Sequence, residues 1–259
     1  MSTVATAPLT PKSDTRPHVV KLKIFWKTTR QWTDAEVADY RASVPILAEQ
    51  IRGEQYWSKN GDIHANRFTC EDFALRVLIQ YAASNGLPIK LTDGVRTYRN
   101  MELYGKPEHG QYDSSMYGFA DMVELTYGAP DMQRSGSNTV RVSGPDALLP
   151  GDILAQANDW AGIAHHVQLV ISKSASNISV MQGNSSGVIV RPLTTFLRVL
   201  GMNRADPQNG SYAGVKPETG SYSPSGVGWD YKNDITGRNV ANFLKEFELY
   251  RWNFFEFNR

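Results

Sequence analysis

One cysteine and five histidines bound the nucleophilic chemistry open to this 259-residue chain. Cys70 stands in Arg67-Phe68-Thr69-Cys70-Glu71-Asp72-Phe73-Ala74, where a helix is expected to begin. At a helix start, unpaired backbone N–H groups and the positive end of the dipole favour thiolate over thiol. A lone thiol there can serve as the nucleophile of a cysteine hydrolase, provided that a histidine and a polar group that orients it come from elsewhere. The plain alternative is a buried, inert cysteine. Glu71 and Asp72 stabilise the helix start, but their charge works against a thiolate.

The histidine is found downstream. Residues 166–172 and 178–184 read as two strands joined by Lys173-Ser174-Ala175-Ser176-Asn177. Directly opposed residues of an antiparallel pair share a face. If Ser172 faces Ile178, His166 faces Asn184; a two-residue shift brings Gln182 there instead. Either register sets an imidazole beside a side-chain amide, the pairing that holds a histidine in the tautomer needed by a thiol. By parity His165 shares the opposite, more apolar face with Val167, Leu169 and Ile171 and is read as structural. Successive strand residues point to opposite faces, so His165 and His166 cannot share a metal.

No cofactor or metal is expected. The chain has no Cys-x-x-Cys pair. Asn60, Asp62, His64 and Asn66, with Asp72 beyond, supply only two carboxylates, so they read as a solvated turn and not a calcium loop. An oxyanion would be met by the Cys70 backbone N–H, with Asn66 as a second donor. Trp160, in the loop before His166, could line a substrate cleft.

The elements that must position these groups follow from pattern. Thr33-Asp34-Ala35-Glu36 forms a capping box for a helix to about Ile51, ended by Gly53. Phe73, Ala74, Val77, Leu78, Tyr81 and Ala82 recur at helical spacing after Cys70, and Gly86-Leu87-Pro88 stops that helix. A strand is expected over 19–26, a polar loop over 54–67 and a short helix over 117–127 inside an inserted loop region, 94–148. Further strands are expected after Pro150-Gly151-Asp152 and over 188–190. Beyond about 200 an extension is expected: a Gly/Ser/Pro/Asn-rich loop over 203–235, a helix over 240–247 and a strand over 249–257. Residues 1–17 read as a disordered tail and 18–259 as one α+β domain.

In order, the cysteine opening a helix, then "LLPGDIL", "HHVQLVI" and "ISVMQGN" resemble the CHAP and NlpC/P60 families of papain-like cell-wall hydrolases over roughly residues 65–195. The resemblance implies a papain-like fold with the Cys70 helix against an antiparallel sheet, Cys70 as nucleophile and His166 as base. Gln182 falls where a Glu often stands, and Asn184 where an Asn often follows. The implied substrate is a peptidoglycan peptide, with hydrolysis of its amide bonds. A transglutaminase-like or deamidating hydrolase acting on proteins is the rival enzyme, and a binding module on the same fold the non-enzymatic one.

Bulk properties exclude other classes. With 27 basic and 26 acidic residues, a net charge of +1 leaves no electrostatic footprint for nucleic acid. No apolar run approaches the ~20 residues that span a bilayer. The first residues lack the apolar core of a secretory signal. A cytoplasmic origin with export by a dedicated route, as an antibacterial effector with a cognate immunity protein or as a phage-type lysin, is the expectation.

Overall fold

Thr33 and Gly53 bound the first helix as their chemistry predicts. In α1 (Asp34–Arg52), Thr33 Oγ1 accepts the Glu36 N–H at 3.3 Å. The Glu36 carboxylate pairs with Arg30 and does not reach back to its cap. α2 (Cys70–Ser84) begins at the cysteine, with Thr69 as its N-cap residue. Beyond the expected stripe, Leu75, Arg76 and Ile79 are buried as well, so α2 is enclosed on several sides. It packs against α1, α3 (Met116–Glu124) and the main sheet. This computed structural model describes residues 2–7, 18–57, 60–103, 112–124, 126–157, 164–184 and 214–259.

Near the N-terminus, β1 (Ser2–Ala7) and β2 (His18–Ile24) pair antiparallel from Ser2↔Lys23 to Ala7↔His18. Residues 2–7 are therefore a strand and not part of a disordered tail; Thr3, Val4 and Thr6 are β-branched, which suits a pleated pair. The polar stretch before Cys70 holds a hairpin of β3 (Gln55–Trp57) and β4 (Ile63–Ala65). β5 (Lys90–Thr92) pairs with β6 (Thr97–Arg99), and β7 (Met101–Leu103) adds to β2. The region 94–148 is thus built of short elements.

Among the described residues the main sheet has eight strands. They are β8 (Thr139–Arg141), β9 (Ile153–Ala157), β10 (Ala164–Lys173), β11 (Ile178–Gln182), β12 (Glu218–Ser225), β13 (Gly228–Asn233), β14 (Asn239–Val240) and β15 (Phe247–Trp252). They run in the order β14-β13-β12-β11-β10-β9-β15-β8, with every pairing antiparallel. A mixed helix-and-sheet protein with an antiparallel sheet is the α+β class expected.

Three expectations for the C-terminal region are corrected. Residues 218–225 and 228–233 form a hairpin where a loop was expected. Tyr222 and Tyr231 lie directly opposite with ring centroids 4.9 Å apart, an aromatic cross-strand pair that outweighs the turn-rich composition. The stretch 240–247 is not a helix: Phe243–Glu246 is a single 3-10 turn leading into β15. Phe243 and Phe247 have helical spacing, but they pack edge to face on one another, and Phe243 meets Tyr231. The last strand stops at Trp252, and Phe254–Phe257 form a short helix, α4. The strand expected over 188–190 lies outside the described residues.

The sheet separates two cores. Val167, Leu169, Met181, Tyr250 and Trp252 join Phe73, Val77 and Leu78 on the α2 side. Val170, Val180, Tyr222, Tyr231 and Phe247 fill the other side. The Pro150-Gly151-Asp152 turn anchors this arrangement. Gly151 has φ +87°, and a Cβ there would stand 2.5 Å from the Tyr40 ring. Asp152 accepts the Leu149 N–H at 2.8 Å and receives Arg251 on both oxygens at 2.7 Å, tying the start of β9 to β15.

Candidate active site

Three stretches of backbone converge just before the thiol. Phe68 N–H donates to the Val215 carbonyl at 3.0 Å, and Phe68's own carbonyl accepts from Val215 at 3.2 Å and Asn184 at 3.1 Å. A Cβ on Gly183 would stand 2.0 Å from the Thr69 carbonyl oxygen, and one on Gly214 2.6 Å from the Phe68 carbonyl carbon. Backbone cannot yield at such distances, so glycine is required at both positions. Cys70 follows as the first residue of α2, buried.

Two groups face its sulfur. The thiol donates to Glu71 Oε2 at 2.9 Å, and the Val167 N–H approaches from the sheet. Val170 gives its N–H to Asp152 on the β9 side. By alternation Val167 N–H points to the β11 side, beyond the last β10–β11 pair, Leu169↔Met181. The sulfur therefore sits off the end of β11 beside β10, one residue from His166. Burial, and next the Glu71 carboxylate, push the Cys70 thiol well above its ordinary value, while the Val167 N–H pulls it down.

His166 is held from the other side. Its Nε2 lies 2.9 Å from Gln182 Oε1, which also accepts Gln168 Nε2–H at 2.6 Å. Gln168 Oε1 in turn accepts the Tyr222 hydroxyl at 2.7 Å. Burial keeps the imidazole below its ordinary value, against the opposing pull of Gln182 and of Glu71. Thiol and imidazole are both neutral near pH 7, and each is hydrogen-bonded to a partner other than the other.

The register shows why Gln182 reaches the ring. Lys173 faces Ile178, a bulge falls between Val170 and Ser172, and Val170 then faces Val180. Continued past Leu169↔Met181, this sets Gln168 opposite Gln182 and His166 opposite Asn184. The ladder has ended by then, and Asn184 turns its backbone N–H to Phe68. The diagonal neighbour Gln182 thus makes the bond. His165 lies at the second irregularity, between Ala164 and His166 on the β9 side.

The remaining sequence candidates divide. Asn66 Nδ2 donates to Glu54 Oε2 at 3.1 Å, and its Oδ1 accepts the Arg67 N–H, so it braces the loop before Cys70. Glu54 also receives buried Arg76 at 2.9 Å. Trp160 lies outside the described residues. Asp72 turns inward to Thr69 Oγ1 at 2.5 Å, away from a turn set with Asn60 and Asp62. Among the described residues no three His, Cys, Asp or Glu side chains are arranged to hold a metal.

Around Asp72 is a group of carboxyls that the sequence pattern showed only in part. Asp72 Oδ1 and Glu124 Oε1 are buried without a hydrogen-bond partner among the described residues. Burial pushes Glu124 up to about 8 despite nearby Arg76. Burial, then Glu124 and Glu71, raise Asp72 well above the carboxylate range. Gln168, Tyr222 and Glu218 were missed as well. Gln168 was findable, since it shares His166's parity on the same strand; the other two fall in a stretch with the composition of a loop.

Comparison of the chain with family models, with curated proteins and with solved structures finds no match.

Proposed function

We propose that this protein is a papain-like cysteine hydrolase that cleaves an amide bond through a thioester on Cys70. The observation that carries the reading is the His166–Gln182 hydrogen bond, made one residue from the backbone N–H that faces the thiol. With Nε2–H donated to Gln182 Oε1, the imidazole keeps a lone pair on Nδ1 for the thiol proton.

The reaction starts from two neutral groups. For turnover the sulfur must exchange Glu71 for His166 Nδ1, which takes the proton as sulfur attacks the substrate carbonyl. The Cys70 backbone N–H, unused by the helix at its first turn, stabilises the oxyanion. His166 then protonates the departing amine, and the thioester is hydrolysed by a water that His166 activates. Gln182 holds the ring throughout.

The substrate class comes from the CHAP and NlpC/P60 resemblance: peptide amides of bacterial peptidoglycan, reached as an exported effector or lysin. Purified sacculi and a generic protein, each incubated with wild type and Cys70→Ala and analysed by mass spectrometry, test it. New amino termini or released stem peptides from sacculi with wild type alone are expected. Product from Cys70→Ala sinks the cysteine mechanism, and Cys70-dependent cleavage or deamidation of the protein alone moves the substrate to proteins.

A further inference from the structure

An amide is an ambiguous partner for a histidine, because either its oxygen or its nitrogen can face the ring. Gln182 presents its oxygen, and the cause can be followed outward. Gln182 Nε2 faces Glu218 Oε2 at 3.4 Å. A carboxylate can only accept, so a nitrogen must lie there and the oxygen must face His166. The same Glu218 oxygen accepts Asn233 Nδ2–H at 2.9 Å. Asn233 is itself fixed, since its Oδ1 accepts the backbone N–H groups of Ile235 and Thr236, both at 2.9 Å. Backbone N–H groups can only donate. On the inner side, Gln168 must then give its Nε2–H to Gln182 and its oxygen to Tyr222.

We infer that Glu218 is a positioning residue for the site: its carboxylate sets the direction of the Tyr222–Gln168–Gln182–His166 hydrogen-bond chain and so the Nε2–H tautomer of His166. This rests on the hydrolase reading for its catalytic consequence, but not for its structural one. Gln182 is buried at 5% exposure and Gln168 at 1%, so water is poorly placed to supply the missing polarity if Glu218 is lost. With Glu218 replaced by an amide of the same shape, both orientations of Gln182 become available. One of them points an N–H at His166 Nε2 and moves the ring proton to Nδ1, where it blocks deprotonation of the thiol.

The test exchanges the charge without changing the shape. Glu218→Gln is compared with wild type and with the double variant Gln182→Glu/Glu218→Gln, in which residue 182 can only accept. Imidazole 15N shifts, assigned to His166 by difference against His166→Ala, report the tautomer in each folded protein. Turnover of the sacculus substrate is followed in parallel. Wild type should show Nε2–H, Glu218→Gln a mixture of tautomers with kcat lowered about tenfold at little changed KM, and the double variant Nε2–H again with kcat largely recovered. An unchanged Nε2–H signal in Glu218→Gln overturns the inference. So does a double variant that stays in the mixed state. If no variant hydrolyses anything, the hydrolase reading fails, while the nitrogen shifts still decide the role of Glu218.

Discussion

The thiol and the imidazole of this site sit in unlike surroundings. Around Cys70 lie carboxyls: Glu71 on the sulfur, with buried Asp72 and Glu124 nearby. Around His166 lie amides and a hydroxyl, Gln182, Gln168 and Tyr222, with one carboxylate behind them. Carboxyls titrate, so the thiol side can change charge with pH. Amides do not titrate but have two ends, so the imidazole side stores direction. A cysteine hydrolase needs both properties, a proton that can leave sulfur and a ring that is always ready to take it. On the proposed reading these two properties fall to separate elements, α2 and the β10–β12 strands.

The most severe test of that division is loss of the ring. His166→Ala should reduce hydrolysis by ~10³-fold or more, close to the loss in Cys70→Ala, because nucleophile and base act as a unit. His165→Ala should stay within a few-fold of wild type in kcat/KM. The reverse ranking would place the base on the α2 face of the sheet and dissolve the contrast between the two sides.

Next comes the titrating side. With its pKa near 8 in the folded protein, Glu124 holds a proton that the unfolded chain releases at ordinary carboxylate pH. The folded state then binds more protons than the unfolded one between about pH 4.5 and 8, and stability must fall as pH rises through that window, by up to ~1.4 kcal/mol per pH unit. Asp72 adds in the same direction. Urea midpoints across pH 5–9 should show the decline in wild type and a flatter profile in Glu124→Gln. A rising profile over that range in wild type would contradict the burial of protonated carboxyls.

The amide side should respond to polarity and be insensitive to charge. Gln168→Leu strands the Tyr222 hydroxyl and removes one of two donors from Gln182, and it should cost about 1–3 kcal/mol in denaturant melts with activity down about tenfold. The smallest effect is the sharpest. Glu71→Gln removes an anion from beside the sulfur, so the thiol value falls and alkylation by iodoacetamide at pH 7 should quicken by a factor of several. Slower alkylation would mean that Glu71 takes the proton itself, and the carboxyl side would then be the base.

The two sides also differed in how far sequence exposed them. Cys70, its helix and the buried stripe were legible because helical spacing and N-terminal chemistry are local. His166 and Gln182 were reached by strand parity, although the ladder ends before Asn184 and the bond is therefore diagonal. The hydrogen bond of Asn66 to Glu54 was not legible, because nothing local announces it. Glu218 and Tyr222 were invisible for a different reason. Their strand is specified by cross-strand contacts, among them Tyr222 on Tyr231, which outweigh the Gly, Ser and Pro of the segment.

The clasp of Phe68 by Val215 and Asn184 also bears on the order of events during synthesis. Both partners lie far along the chain, so the entropy of closing long loops must be met before the residues ahead of Cys70 are fixed. A nascent polypeptide that has not yet extruded Val215 holds a cysteine without its final scaffold. The scaffold of the Cys70 thiol is therefore completed only after residues 184 and 215 have been made, a delay written into the topology.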